Sequence, residues 1–131
     1  MAYSSIDQYR KSSVSSASPI QLVVMLYDGA LRFMEAGKHA MGKRDVFAQN
    51  ENITKAERIL SELLSTLDLE QGGEVAANLM SIYTYVYDRL VEANIEDKPE
   101  IIDECMAIMS ELRESWVEIE RRYRAGDINA A

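Results

Sequence analysis

The sequence predicts an all-α protein, an antiparallel up-down four-helix bundle with a polar N-terminal lead segment. Non-polar side chains recur every three or four residues in four long stretches, which is the spacing of helix faces buried in a bundle. With only two prolines and six glycines in the chain, little interrupts long helices. No alternating strand pattern competes. We expect a flexible lead at 1–17, the bundle at 18–124 and a frayed tail at 125–131.

The first helix is predicted at 19–42, and its start carries three matching signals. The Ser18 hydroxyl can cap free backbone N–H groups, Pro19 stands where a missing N–H costs nothing, and Gln21 can bond back to the cap. Spacings of three and four residues then define a face that packs in a bundle. The predicted core stripe is Val23, Tyr27, Ala30, Met34, Gly37 and Met41.

The start of this helix is unusually apolar, because residues 22–27 read LVVMLY without a polar break. At about 3.6 residues per turn, this run covers the whole circumference of a helix, whereas one buried face needs only a stripe. Leu22, Met25 and Leu26 fall beside the core stripe. They are therefore candidate partner-binding residues.

A second helix is predicted at 46–69, with Asp45 as its cap. The segment LDLEQGG at 67–73 is expected to end it, because glycines accept backbone angles that other residues resist. The predicted core stripe is Val46, Ile53, Ala56, Leu60, Leu63 and Leu67.

The third helix, predicted at 74–94, carries two apolar stripes. The first is Val75, Leu79, Ile82, Val86 and Ala93, and the second is Ala76, Met80, Tyr83, Tyr87, Leu90 and Asn94. Because the first stripe is already a complete core face, we expect the second to be reachable from outside. Tyrosine and methionine also suit a groove that accepts another helix. The partner-binding residues predicted here are Met80, Tyr83, Tyr87, Leu90 and Asn94.

The fourth helix is predicted at 98–124. Asp97 and Glu100 form a capping pair around its first turn, and Pro99 again stands where a helix can begin. The predicted core stripe is Ile102, Cys105, Met109, Leu112, Trp116, Ile119 and Tyr123.

Charge and composition exclude several classes of partner. The net charge of −8 disfavours nucleic acid, whose phosphates need clustered Lys and Arg, and it disfavours an anionic membrane surface. No apolar stretch is long enough for a membrane span, so membrane insertion is not expected. One cysteine permits no internal disulfide, which fits a reducing compartment. We expect a cytoplasmic protein.

No motif in the chain predicts catalysis. A carboxylate-bridged di-metal site in a bundle needs two histidines, and this chain has only His39. Cys105 lies in a core stripe with no histidine nearby in sequence, and Gly72–Gly73 lacks the pattern of a phosphate-binding loop. We expect no catalytic residues, no metal and no cofactor.

Several separate segments carry a family resemblance. They are SVSSASP at Ser13–Pro19, MLYDGA at Met25–Ala30, LDLEQGGE at Leu67–Glu74, NL at Asn78–Leu79 and LVEAN at Leu90–Asn94. Together they resemble the FliS family, the flagellar secretion chaperones for flagellin. The resemblance extends from the tyrosines of the lead to Trp116.

This resemblance implies a four-helix bundle that binds the disordered C-terminal region of flagellin in the cytoplasm. It implies that flagellin is kept from polymerising early and is delivered to the flagellar type III export gate. It also suggests that the N-terminal segment covers an apolar patch in the free protein, which makes Ile6 and Tyr9 candidate cover residues. A co-chaperone or an anti-sigma regulator is a further candidate partner.

A second interpretation stays open from the residues themselves. The surplus apolar surface can serve a homodimer or a regulatory adaptor with no flagellin client. Both interpretations place function in a binding surface and not in a reaction.

Overall fold

The computed structural model describes residues 18–126, and four α-helices account for nearly all of that range. They are α1 (Pro19–Gly42), α2 (Val46–Ser65), α3 (Leu69–Glu96) and α4 (Pro99–Arg124). Each helix packs against the next along the chain, and α4 also packs against α1. Because the connections are only a few residues long, consecutive helices run antiparallel. The predicted all-α bundle is confirmed; the predicted lead at 1–17, with Ile6 and Tyr9, lies outside the described residues.

The start of α1 has the predicted capping box. Backbone N–H of Gln21 donates to the Ser18 hydroxyl at 3.1 Å, and backbone N–H of Ser18 donates to Gln21 Oε1 at 2.8 Å. Gln21 Nε2 also donates to Glu120 Oε1 on α4 at 3.1 Å. The beginning of α1 is therefore held against the end of α4.

The core follows the predicted stripes through most of the bundle. Its fully buried members include Tyr27, Met34, Ile53, Ala56, Leu60, Leu63, Ile102, Cys105 and Met109. The two helices α1 and α2 approach closely where α1 carries glycine. A Cβ atom at Gly37 would lie 2.8 Å from Ile53 Cγ1, so a larger residue there would force the helices apart.

The predicted start of the second helix at Val46, with Asp45 as its cap, is confirmed, but its end and one core residue are corrected. Val46 was expected in the core but is 71% exposed, because it is the first residue of α2 and lies beyond the packed part of the bundle. The helix ends at Ser65 and not at residue 69. Thr66 is its cap, and its hydroxyl donates to the Leu63 carbonyl at 2.6 Å.

The segment predicted to end α2 is instead the first turn of α3. The Asp68 carboxylate accepts from the backbone N–H groups of Glu70 and Gln71 at 3.1 and 3.0 Å, which caps a helix that begins at Leu69. Gly73 then interrupts the helix with φ 53° and ψ −129°, a conformation that favours glycine. Helix α3 is thus kinked after one turn.

Replacing Gly73 with alanine is expected to lower the free energy of unfolding by about 1–3 kcal/mol, because a Cβ atom is strained at its positive φ. Urea unfolding followed by circular dichroism measures the change. Gly42→Ala is the matched control, since a Cβ there meets nothing within 4 Å and the residue is helical. Equal stability of the two variants would show that the kink carries no strain for alanine.

The residue that caps the start of α4 is not the predicted one. Asp97 adopts a left-handed conformation with φ 54° and closes the end of α3, and its carboxylate accepts from Gln49 Nε2 at 2.8 Å. Lys98 is the residue before the helix, and its side chain makes no capping bond. The predicted capping role of Asp97 is therefore wrong, because the turn uses this carboxylate to hold α2.

Candidate partner-binding groove

An open apolar groove of about 730 Å³ lies at the end of the bundle where α1 begins, α2 ends and α3 begins. We call it the α1–α3 groove. Helix α4 contributes only Trp116, at its floor. The apolar residues that line it are Leu22, Val23, Met25, Leu26, Phe33, Ile59, Leu67, Val75, Ala76, Leu79, Tyr83 and Trp116.

Two features of the sequence leave this surface open. The unbroken run at 22–27 supplies more apolar side chains than one core face uses, so Leu22 and Met25 line the groove without joining the core. The kink at Gly73 separates the first turn of α3 from the rest of the helix. Val75, just after the kink, lines the groove and is 69% exposed.

A hydrogen-bonded aromatic cluster of Tyr27, Tyr83 and Trp116 lies beneath the groove, and of its members Tyr83 and Trp116 line it. The two tyrosine hydroxyl oxygens lie 2.5 Å apart, and the rings meet edge to face with centroids 6.2 Å apart. Trp116 Nε1 donates to the Tyr27 hydroxyl at 3.2 Å. Burial raises the pKa of both tyrosines above the usual value, so both hydroxyls stay protonated.

The rim of the groove has more acidic than basic side chains. Asp28, Glu62 and Asp68 line it together with Arg32. The Asp28 carboxylate accepts a hydrogen bond from Arg113 Nε on α4, and this ion pair holds α1 against α4 beside the groove. An apolar floor with a polar rim is the usual composition of a surface that binds a peptide or a helix.

The structure brings four of the predicted partner-binding residues to one site. Leu22, Met25 and Leu26 on α1 and Tyr83 on α3 all line the groove. The sequence had identified these residues on two different helices without showing that they meet. Their proximity depends on how the helices pack, which no spacing within one helix reveals.

The other predicted residues of α3 lie elsewhere. Met80 is exposed but does not line the groove, and Tyr87 is half-buried against the core. Leu90 is fully buried in the core. Asn94 lies near the opposite end of the bundle, where its Nδ2 donates to Asn50 Oδ1 at 3.0 Å.

The expectation that the second stripe of α3 is reachable from outside is wrong for Tyr83 and Leu90. Tyr83 is 1% exposed and Leu90 is fully buried, while Val75 of the first stripe faces out. The buried face of α3 takes members of both stripes, because it lies between them on the helix. Its buried residues are Ala76, Tyr83, Val86, Leu90 and Ala93.

Several groove residues were assigned to the core from the sequence or not assigned at all. Val75, Leu79 and Trp116 belong to predicted core stripes, and Phe33 was not singled out. One signal in the sequence could have identified Val75 as a groove residue: it closely follows the Gly72–Gly73 pair. A kink at glycine takes the next helical turn out of regular packing.

Metal-ligand clusters and membrane-spanning helices are not found in the described part of the chain. Among residues 18–126, no three His, Cys, Asp or Glu side chains come together as a metal site would require. Across the same span, no helix is both long and apolar enough to cross a membrane. Cys105 is buried, and burial raises the pKa of its thiol to about 12.

We expect Cys105 to resist thiol reagents in the folded protein, because only the thiolate reacts readily and the buried thiol stays protonated at neutral pH. A colorimetric thiol assay should show slow labelling in buffer and fast, complete labelling in denaturant. Labelling in buffer at the rate of free cysteine would contradict the buried environment.

Comparison with known proteins gives a consistent result. The family model described as flagellar protein FliS matches residues 2–123. The flagellar secretion chaperone FliS of Bacillus subtilis (strain 168) is 35% identical over 121 residues, which cover 90% of each chain.

Two further relatives extend the match. The flagellar secretion chaperone FliS of Salmonella typhimurium is 38% identical over 83% of this chain and 82% of its own. The flagellar secretion chaperone FliSB of Pseudomonas aeruginosa is 34% identical over 88% of this chain and 94% of its own. These relatives are named as chaperones, which is a non-enzymatic role. The chain forms a helical bundle and matches the family model over residues 2–123, so it belongs to the FliS family of flagellar proteins.

Proposed function

We propose that this chain is a cytoplasmic chaperone for the disordered C-terminal region of flagellin. In this proposal it prevents premature polymerisation and delivers flagellin to the flagellar type III export apparatus. The observation that carries the proposal is the α1–α3 groove in a chain of the FliS family. A chaperone of an unfolded client needs an accessible apolar surface on a stable scaffold, and the groove supplies one.

The size and lining of the groove suit helical turns of a client. Ordering a disordered segment costs about 2–5 kcal/mol or more, so the contact must bury much apolar area. Leu22 and Met25 on one wall and Val75 on the other are accessible without disturbing the core. We therefore propose that α1 and the first turns of α3 hold the client, with Leu26 between them and the buried Tyr83 beneath.

Calorimetric titration with a synthetic flagellin C-terminal segment tests this function. Trp116 is the single tryptophan of the chain and lies at the groove floor, so its fluorescence emission reports occupancy in the same sample. We expect saturable binding in the micromolar range or tighter, with a shift of the emission. No heat and no shift at micromolar concentrations would refute a flagellin client.

The N-terminal lead is proposed to compete for the groove through Ile6 and Tyr9. Pro19, two residues after the lead, lies in the groove wall. When an internal segment occupies a binding site, the apparent affinity for the client is reduced in proportion to the fraction of molecules whose site is open. Deleting residues 1–17 should therefore tighten binding of the flagellin segment and leave the helical content of the bundle intact. Unchanged affinity would show that the lead is not a competitor.

Self-association is the second candidate function, and exposed apolar side chains at the opposite end of the bundle favour it. Val46, Phe47 and Ile95 are all largely exposed there. Light scattering over a range of concentrations, with and without the flagellin segment, separates the two candidates. A molecular mass that rises with protein concentration, and is the same with and without the flagellin segment, would favour a homodimer or regulatory adaptor.

A further inference from the structure

Arg32 on α1 places an exposed positive charge in the lining of the α1–α3 groove. Of the described residues that line the groove, it is the only basic one. Across residues 18–126, no carboxylate forms an ion pair with its guanidinium. The groove therefore carries a positive charge that the described part of the fold does not neutralise.

Two acidic side chains of the rim are committed to other bonds. Asp28 lies four residues before Arg32 on α1, which is a spacing at which an acid and an arginine can pair on a helix. Its carboxylate instead accepts from Arg113 Nε on α4. The Asp68 carboxylate accepts from two backbone N–H groups of the first turn of α3. Packing between helices and capping thus use these acids and leave Arg32 available.

The ring of Phe33 positions the guanidinium at the groove. The central carbon of the Arg32 guanidinium lies 5.5 Å from the centre of this half-buried, groove-lining ring, whose face attracts a cation. The amine of Lys55 lies at the same distance from the ring, but Lys55 does not line the groove and it pairs with Glu51 at 3.5 Å. Arg32 is therefore the cation that a client in the groove would meet.

The surrounding charge limits where a client can carry an acid. The other charged residues in the described lining are Asp28, Glu62 and Asp68, and the whole chain has a net charge of −8. A client carboxylate is repelled by these groups, whereas a guanidinium can bind it through two parallel N–H···O bonds. A groove of this kind favours one position for a client acid and disfavours others.

We propose that Arg32 is a specificity-determining residue that pairs with one Asp or Glu side chain at the edge of the client's apolar face. This inference rests on the proposed function, because it takes the flagellin segment as the occupant of the groove. The pair sets the register of the client, since the apolar lining alone would accept an apolar helix face at several positions along the groove.

Charge reversal in the full chain tests the inference. Arg32→Glu should raise the dissociation constant for the flagellin C-terminal segment roughly 5- to 20-fold, because the attraction is lost and a repulsion of similar size replaces it. In about 1 M NaCl the increase should fall to about 2-fold or less, since salt screens exposed charges. Calorimetric titration at both salt concentrations measures the two values.

Arg44→Glu is the matched control, because it makes the same change of net charge at another exposed arginine. Arg44 follows α1 at the end of the bundle opposite the groove, and within the described range it forms no ion pair. Its affinity for the segment should stay within about 2-fold of that of the parent chain. Thermal unfolding checks that both variants are folded.

A charge-reversal scan over the Asp and Glu residues of the flagellin segment identifies the partner carboxylate. At one position, replacement by lysine should weaken binding to the parent chain and restore most of the affinity of Arg32→Glu. Equal weakening by Arg32→Glu and Arg44→Glu, or a scan in which no reversal rescues Arg32→Glu, would overturn the inference. Absence of binding by the parent chain itself would instead overturn the proposed function, and the inference with it.

Discussion

Replacing Leu22 and Val75 together with aspartate is expected to raise the dissociation constant for the flagellin C-terminal segment by about 100-fold or more. The two residues lie on opposite walls of the α1–α3 groove, and neither joins the core cluster. Removing an apolar side chain that the client buries costs about 1.5–3 kcal/mol, and a carboxylate buried against a client adds a desolvation cost. Calorimetric titration measures the decrease in affinity.

Phe47→Asp is the matched control for this double variant. Phe47 is 78% exposed and lies near the end of the bundle opposite the groove, so the change also adds a charge to an exposed apolar site. It should leave the affinity unchanged. A similar decrease in the affinity of Phe47→Asp would mean one of two things. Either the client binds the opposite end of the bundle, or added negative charge anywhere on the surface weakens binding.

Truncating Leu60 to alanine is expected to lower the free energy of unfolding by about 2–5 kcal/mol, because it leaves a cavity in the centre of the core. Leu60 is fully buried on α2 among residues of the neighbouring helices. Urea unfolding followed by circular dichroism gives the value.

Val46→Ala is the informative comparison, because Val46 and Leu60 belong to the same predicted core stripe. The structure leaves Val46 exposed at the first position of α2, so this truncation should change stability by less than about 0.5 kcal/mol. A large effect at Val46 together with a small effect at Leu60 would contradict this packing of α2.

Local signals in the sequence predicted the elements that local physics controls. The Ser18–Pro19–Gln21 start of α1 was correct because capping needs only neighbours in the chain. The stripes of α1 and α4 were largely correct, because each of these helices has a single apolar face at helical spacing. Ile119 and Tyr123 are the exceptions: they were predicted in the core but lie exposed near the end of α4. The Asp97 cap was wrong since a competing partner, Gln49, is distant in sequence.

The register of α3 could not be predicted from its own sequence. Two apolar stripes lie side by side on this helix, and either can face a core at helical spacing. The neighbouring helices select a buried face that includes Tyr83 and Leu90 and leaves Val75 outside. The glycine pair predicted the end of α2, whereas Asp68 caps a new turn that Gly73 then kinks.

The candidate site was predicted only in part for the same reason. Apolar excess on α1 identified Leu22, Met25 and Leu26 as surplus to one core face. That Tyr83 and Trp116 lie beneath them depends on the spacing between helices, which no single-helix pattern contains. Which residues line the groove therefore depends on how the helices pack together.

Amide hydrogen exchange with and without the flagellin C-terminal segment tests most directly whether the client occupies the α1–α3 groove. We predict that the segment slows exchange in 19–33 and 67–83, which contain most of the groove lining. We predict no change near the opposite end, at 42–50 and 94–98. Slower exchange at the opposite end with the groove unchanged, or no change anywhere at saturating segment, would contradict a client in the groove.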